Sequence, residues 1–290
     1  MSARRSAIPF VASSLMFLFA GCTAHLVRAA NGVLDISRQG AQGRSGRTPE
    51  DPGADFNLGV EHLKAGRRAE AVEAFKRAIK ARPDHTLAHF NLGVAYSEQN
   101  RHEEAAAAYR DAARLKPDWG VAHYNLASTY AELRRYDEAI ESYKRALAIK
   151  PDSASALFNL AIAYESVGRD EEAIEFYKRA IAVKPDHVGA QHNLAMLFAK
   201  IRRFDEAIAA FERTIRLEPG FADAHSNLGL IYGGTGRYAE AVAALKEALR
   251  LRPDFAAAHF NFGLVELQHG DLAAAERQRE ALTKLDRAGG

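Results

Sequence analysis

The sequence predicts an all-α fold, a stack of seven helix-turn-helix units, and three observations predict it. Pro83, Pro117, Pro151, Pro185, Pro219 and Pro253 are each separated by 34 residues. When proline is counted as position 32, units begin at 52, 86, 120, 154, 188, 222 and 256, and position 20 is alanine in all seven, from Ala71 to Ala275. Position 6 is asparagine in all seven. A period of this length marks a chain whose units bury their apolar faces against one another.

The first helix of each unit follows from positions 4, 7, 8 and 11, which share one face at 3.6 residues per turn. Position 8 is small throughout: Gly59, Gly93, Ala127, Ala161, Ala195, Gly229 and Gly263. Positions 20, 24 and 27 form the matching face of a second helix, with an aromatic residue at position 24 in Phe75, Tyr109, Tyr143, Tyr177 and Phe211. Small residues at 8 and 20 allow close approach, and large ones such as Leu92, Tyr96 and Tyr109 fill the space beside them. Between the helices stand Gly66, Asn100, Gly168, Gly236 and Gly270, types that accept the left-handed conformation ending a helix. Proline stops the second helix. The aspartates that follow it (Asp84, Asp118, Asp152, Asp186 and Asp254) are expected to cap the next first helix. The last unit departs: Glu266 and Arg279 replace aromatic residues, no proline closes it, and residues 276–287 are polar, as a terminal capping unit requires.

This register resembles the tetratricopeptide repeat (TPR) family from residue 52 to about residue 287. The resemblance implies a TPR solenoid over 52–290, a right-handed superhelix of seven helix-turn-helix repeats with a concave groove lined by first helices.

Ahead of the repeats, residues 1–21 read as a leader. Arg4 and Arg5 precede an apolar stretch from Ala7 to Ala20, shorter than the ~20 residues that span a bilayer. The stretch ends in Phe19-Ala20-Gly21-Cys22, which resembles a bacterial lipobox and implies lipidation of Cys22. A plain secretory signal cleaved near Val27-Arg28-Ala29 is the alternative. Thr23 in place of aspartate points to the outer membrane, facing the periplasm; a secreted or periplasmic protein is the alternative location. Residues 22–51, rich in Gly, Ala, Ser, Gln and Arg, read as a flexible tether.

The candidate binding residues are the position-6 amides Asn57, Asn91, Asn125, Asn159, Asn193, Asn227 and Asn261. They lie away from the core positions, on an arc that faces the groove in the TPR family. An amide donates and accepts, so a row of them suits the backbone of an extended peptide. The A-x-x-N-L-[GA] pattern resembles the TPR domain of O-linked N-acetylglucosamine transferase, where such residues hold protein substrates. The alternative is that each amide bonds a neighbouring helix and sets repeat spacing. Position 5 adds Phe90, Tyr124 and Phe158, read as an apolar strip of the same groove. The alternative there is packing between first helices. Lysine is absent from position 5, which excludes the clamp by which chaperone-docking TPR domains grip a carboxylate.

Catalytic chemistry is not legible. His89, His123, His225 and His259 all occupy position 4, one per repeat, and ligands so spaced do not converge on one ion. Gly233-Gly234-Thr235-Gly236 lacks the strand and Lys-Ser/Thr of a phosphate loop and reads as a turn. Glu103-Glu104 and Glu171-Glu172 open second helices, where they suit the helix dipole. Removing Arg4 and Arg5 from 39 basic residues leaves 37 against 37 acidic ones, a balance that argues against nucleic acid. The expectation is a non-enzymatic, membrane-anchored adaptor, without metal or cofactor, that binds a partner polypeptide in pilus or secretin assembly, envelope assembly or polysaccharide export. The alternatives are an accessory subunit that recruits substrates for a protein O-glycosyltransferase system, and oligosaccharide binding on the position-5 rings.

Overall fold

The computed structural model describes residues 52–289. The leader, Cys22 and the tether lie outside the described residues. Among the described residues there are fourteen helices and no strand. The first helices are α1 (Pro52–Lys64), α3 (Thr86–Ser97), α5 (Gly120–Glu132), α7 (Ala154–Ser166), α9 (Val188–Lys200), α11 (Ala222–Gly234) and α13 (Ala256–His269). Each begins on position 1 of the register. The second helices are α2 (Arg68–Ala81), α4 (His102–Leu115), α6 (Tyr136–Ile149), α8 (Asp170–Val183), α10 (Phe204–Leu217), α12 (Tyr238–Leu251) and α14 (Leu272–Gly289).

The described residues fall into two compact units, 52–183 with α1–α8 and 184–289 with α9–α14. In both, each first helix packs on the second helix of its own repeat, and α2, α4, α6, α10 and α12 also pack on the first helix that follows.

The expected small-to-large contact is the centre of each hairpin. The position-20 alanines Ala71, Ala105, Ala139, Ala173, Ala207 and Ala241 are fully buried, and so are the position-24 rings Phe75, Tyr143, Tyr177 and Phe211. A Cβ on Gly93 would stand 2.7 Å from Tyr109 Cδ1, and one on Gly59 would stand 2.5 Å from Phe75 Cε1. The ring of the second helix therefore lies directly on the backbone of the first. In the last repeat Arg279 replaces that ring, and a Cβ on Gly263 would meet nothing nearer than Gln278 Cβ at 3.5 Å. Gly233 serves a different contact. A Cβ there would stand 2.5 Å from Val265 Cγ2, so it lets α13 approach α11.

Position 15 is left-handed in all seven repeats. The expected Gly66, Asn100, Gly168, Gly236 and Gly270 are joined by Arg134 (φ 58°) and Arg202 (φ 63°). The expected aspartate caps do not form. The N-cap falls one residue later, at position 34, where His85, Ser153 and His187 accept the amide N–H of Ala88, Ala156 and Ala190. A two-residue turn of proline and aspartate precedes the cap, which leaves the carboxylate one residue too early to reach the helix amides.

Two further side-chain devices hold the turns. The position-4 histidines His89, His123, His225 and His259 each donate Nε2–H to the carbonyl of Pro83, Pro117, Pro219 and Pro253, at 2.9–3.0 Å. At position 16 an arginine opens the second helix. Arg101, Arg135, Arg169, Arg203 and Arg237 lie 4.2–4.7 Å over the rings of Tyr96, Tyr130, Tyr164, Phe198 and Tyr232. Each also bonds the glutamate three residues on, from Glu104 to Glu240. The last repeat has Glu266 and Asp271 at these two positions. Glu266 is buried and accepts the hydroxyl of Tyr238 at 2.5 Å, which, with burial, raises the Tyr238 pKa to about 12.

Candidate polypeptide-binding face

The position-6 asparagines sit where a first helix turns from its core side to its open side. Asn91 and Asn261 are buried; Asn57, Asn125, Asn159, Asn193 and Asn227 are half-buried. Their amide nitrogens have two kinds of partner. Asn91 donates to the carbonyl of Leu87 and Asn125 to that of Val121, one turn back on their own helices, both at 2.9 Å. Asn159 donates to the Tyr124 hydroxyl (2.9 Å), Asn261 to the Ser226 hydroxyl (3.0 Å) and Asn227 to the Met196 sulfur (3.1 Å), all on the first helix of the preceding repeat.

For Asn91, Asn125, Asn159 and Asn261 the choice follows position 5 of the preceding repeat. Where it carries a hydroxyl, in Tyr124 and Ser226, the next asparagine reaches across to it. Where it is Phe56 or Phe90, the next asparagine, Asn91 or Asn125, turns back to its own helix. A buried amide N–H seeks an acceptor, and a phenyl ring offers none. This pairing at a separation of 35 residues was readable in the sequence as a hydroxyl at one position 5 ahead of the next asparagine, but only once the two positions are known to face each other.

In Asn91, Asn125, Asn159, Asn227 and Asn261 one amide N–H is thus bonded within the protein. The side-chain oxygens accept no bond among the described residues, and none is among the sealed polar atoms lacking a partner. Each of these bonds uses one of the two N–H groups of its amide, so each asparagine keeps one N–H and its oxygen for a further partner.

Position 5 departs from the expected apolar strip. Phe90 is 1% exposed and Phe158 4% exposed. Phe90 packs on Tyr109 and on Trp119, with centroids at 5.3 and 4.6 Å, and Phe158 packs on Tyr177 at 5.9 Å. Tyr124 is half-buried, edge-on to Tyr143 at 5.7 Å. These rings fill the seam between the two helices of a hairpin because a ring at position 24 leaves an edge that another ring covers well. Phe260 is the exception at 38% exposed, in the repeat whose position 24 is Arg279. The half-buried apolar residues of the open side are instead Leu87, Val121 and Ile162.

Among the described residues no three His, Cys, Asp or Glu side chains gather as a metal site would require, and no helix is long and apolar enough to cross a membrane. The position-4 histidines each bond the carbonyl of their own proline, one per repeat.

The fold and this face define a helical-hairpin repeat protein that offers a side-chain face. Models of the tetratricopeptide repeat match residues 56–118, 120–186, 190–223 and 222–255, and the chain belongs to the tetratricopeptide repeat family. No curated protein matches the sequence. Among solved structures, a tetratricopeptide repeat protein from Parabacteroides merdae ATCC 43184 is similar, with a TM-score of 0.61 and 21% identity over 81% of this chain and 98% of the other. YrrB, described as a TPR protein with an unusual peptide-binding site, is similar with a TM-score of 0.57 and 25% identity over 64% of this chain and 96% of its own. PilW, described as a widely conserved type IV pilus biogenesis factor, is similar with a TM-score of 0.58 and 24% identity over 69% and 92%. The fold is that of a TPR solenoid, suited to protein interaction.

Proposed function

We propose that the protein is a non-catalytic adaptor that holds a partner polypeptide against its first-helix face and is anchored in the bacterial cell envelope through a lipid on Cys22. The observation that carries the binding half is the row of asparagine oxygens left without partners beside the half-buried Leu87, Val121 and Ile162. An extended chain carries unpaired N–H groups at a regular spacing, which such a row satisfies. The likeness to YrrB and its peptide-binding site supports the same reading. The anchoring half rests on Phe19-Ala20-Gly21-Cys22 at the end of an apolar leader, and Thr23 favours the outer membrane with the repeats in the periplasm. Pilus or secretin assembly, envelope assembly and polysaccharide export are the settings that the family resemblance suggests.

Changing Asn91, Asn125 and Asn159 together to alanine is expected to abolish capture of the partner by photo-crosslinking in cells while helicity is retained. Undiminished capture by a folded triple variant ends the binding half. Cys22→Ala is expected to move the protein from the membrane to the soluble fraction. A wild-type protein that takes up no labelled fatty acid ends the anchoring half.

A further inference from the structure

We infer that the unit 52–183 pairs side by side with a second copy of this chain, the edge of hairpin turns of one copy lying against the edge of proline turns of the next. The inference is independent of the polypeptide-binding face. First and second helices alternate in direction through this unit, so the turns inside the hairpins line one edge and the proline turns line the other. The two edges are about 20 Å apart, the length of a 14-residue helix.

Charge separates between these edges. Along the proline edge, residues 76–84, 110–118 and 144–152 hold ten lysines and arginines against four aspartates. Asp55, at the same edge, is taken up by Arg77 at 2.8 Å. Along the hairpin edge, residues 98–107, 132–141 and 166–175 hold eleven aspartates and glutamates against four arginines. The first repeat departs, with Lys64, Arg67 and Arg68 against Glu70 and Glu73. Internal pairing leaves both excesses in place. Lys80, Arg82, Lys116, Arg145 and Lys150 are exposed and in no ion pair among the described residues. At the other edge Arg101 and Arg135 are matched by Glu104 and Glu138, and Arg134 stands near both Glu132 and Asp137, which are exposed and likewise in no ion pair.

The cause is helical. Acids favour the first turn of a helix and bases the last. The second helices α2, α4, α6 and α8 open with acids such as Glu70, Glu103, Asp137 and Glu172, and they all run the same way, so the pattern adds along the unit. Each edge also exposes an aliphatic side chain, Ile149 at 41% among the proline turns and Val167 at 36% among the hairpin turns. The chain as a whole is close to neutral at +2, which gives little pull toward a surface of one sign. Opposite edges of two copies match in charge, and each has an aliphatic group to bury. The contact joins two different surfaces, so every copy keeps one edge for a further neighbour and the product is an open row. Single exposed ion pairs contribute little, so the association depends on their number along an edge and weakens with salt.

The test measures mass by light scattering on the full chain carrying Cys22→Ala, which removes the proposed acylation site. Salt is raised from ~0.01 M to ~1 M, over which the Debye length falls from about 30 Å to about 3 Å. The mass is expected to grow with protein concentration at low salt and to return to the monomer at high salt. Arg82→Glu, Lys116→Glu and Lys150→Glu together should weaken association at least about tenfold with helicity retained, and so should Glu103→Lys, Glu132→Lys and Asp137→Lys together. Mixed in equal amounts, the two variants should form a 1:1 complex and nothing larger, since each keeps one unaltered edge of opposite sign. A chain that is monomeric at low salt, a mass that salt does not change, or a mixture that fails to pair overturns the inference. A monomer that binds phosphatidylglycerol vesicles at low salt assigns the proline edge to a lipid surface and overturns it too.

Discussion

The Asn159 amide donates to the Tyr124 hydroxyl across 2.9 Å and 35 residues of sequence, joining the first helices of two successive repeats. The bond is half-buried, and Tyr124 shares its hydroxyl region with Ser128, whose Oγ lies 3.0 Å from the Tyr143 hydroxyl. Burial is the larger influence on Tyr124 and raises its pKa. The phenol therefore stays neutral over the ordinary pH range and remains an acceptor for the amide.

Tyr124→Phe should cost about 1 kcal/mol, the net worth of one hydrogen bond. A double-mutant cycle with Asn159→Ala, read from urea midpoints, should return a coupling of about 0.5–1.5 kcal/mol. Coupling near zero would mean that the two repeats are joined by packing alone.

Gly93→Ala is expected to destabilise by about 1–3 kcal/mol, because the new methyl enters space held by the Tyr109 ring. Gly263→Ala, where the nearest side-chain atom is 3.5 Å away, should be neutral or gain up to about 1 kcal/mol from helix propensity. Thermal melts of the two variants give opposite or clearly separated shifts if the ring-on-backbone contact is correct.

Arg134→Gly should stabilise the protein by about 1 kcal/mol, since a β-carbon is strained at φ 58° and glycine is not. Gly168→Arg, the reverse change at the same position of the next repeat, should destabilise by a similar amount. Equal melting temperatures for wild type and Arg134→Gly would show that the Arg134 side chain offsets the strain through a contact of its own.

His85 and His187 supply a dependence on pH. Each caps a helix through unprotonated Nδ1, at 3.3 Å from the Ala88 amide and 3.2 Å from that of Ala190. Burial, with Arg82 beside His85 and Lys184 beside His187, holds both pKa values below the ordinary 6.5. The unfolded chain therefore binds these protons more readily than the folded one. Their contribution is complete above about pH 6.5 and declines as pH falls through that value toward the folded pKa. The glutamates whose pKa is lowered by arginine, such as Glu104 and Glu138, act at more acidic pH, so they do not obscure this window. His85→Asn keeps a capping side chain that does not titrate and should flatten the fall in the urea midpoint across about one pH unit on either side of the ordinary histidine value of about 6.5.

The repeated positions explain how much was legible in advance. Ala139 and Tyr143 could be assigned to the hairpin seam because the same two types recur at positions 20 and 24, and a recurring pattern at helical spacing has a single packing solution. Phe90 and Phe158 lie in the seam and not on the expected strip for a related reason. Their position lies at the border between seam and open side, and a ring there goes where the neighbouring ring leaves room. His85 and His187 hold the capping role expected of Asp84 and Asp186, since residue type alone does not separate adjacent positions of a turn. The arginines at position 16 recur as regularly as the prolines, but their pairing with the ring five residues earlier depends on the turn between them closing.

Period, register, helix pairing and the small-on-large contact were determined by the sequence alone, because each repeated position meets the same surroundings seven times and local geometry at 3.6 residues per turn fixes its face. The tertiary structure alone decided which acceptor each asparagine takes, which rings are sealed and which oxygens stay open. Those outcomes depend on side chains that lie a full repeat away along the chain, and only the stacking of one hairpin on the next brings such groups within hydrogen-bonding range.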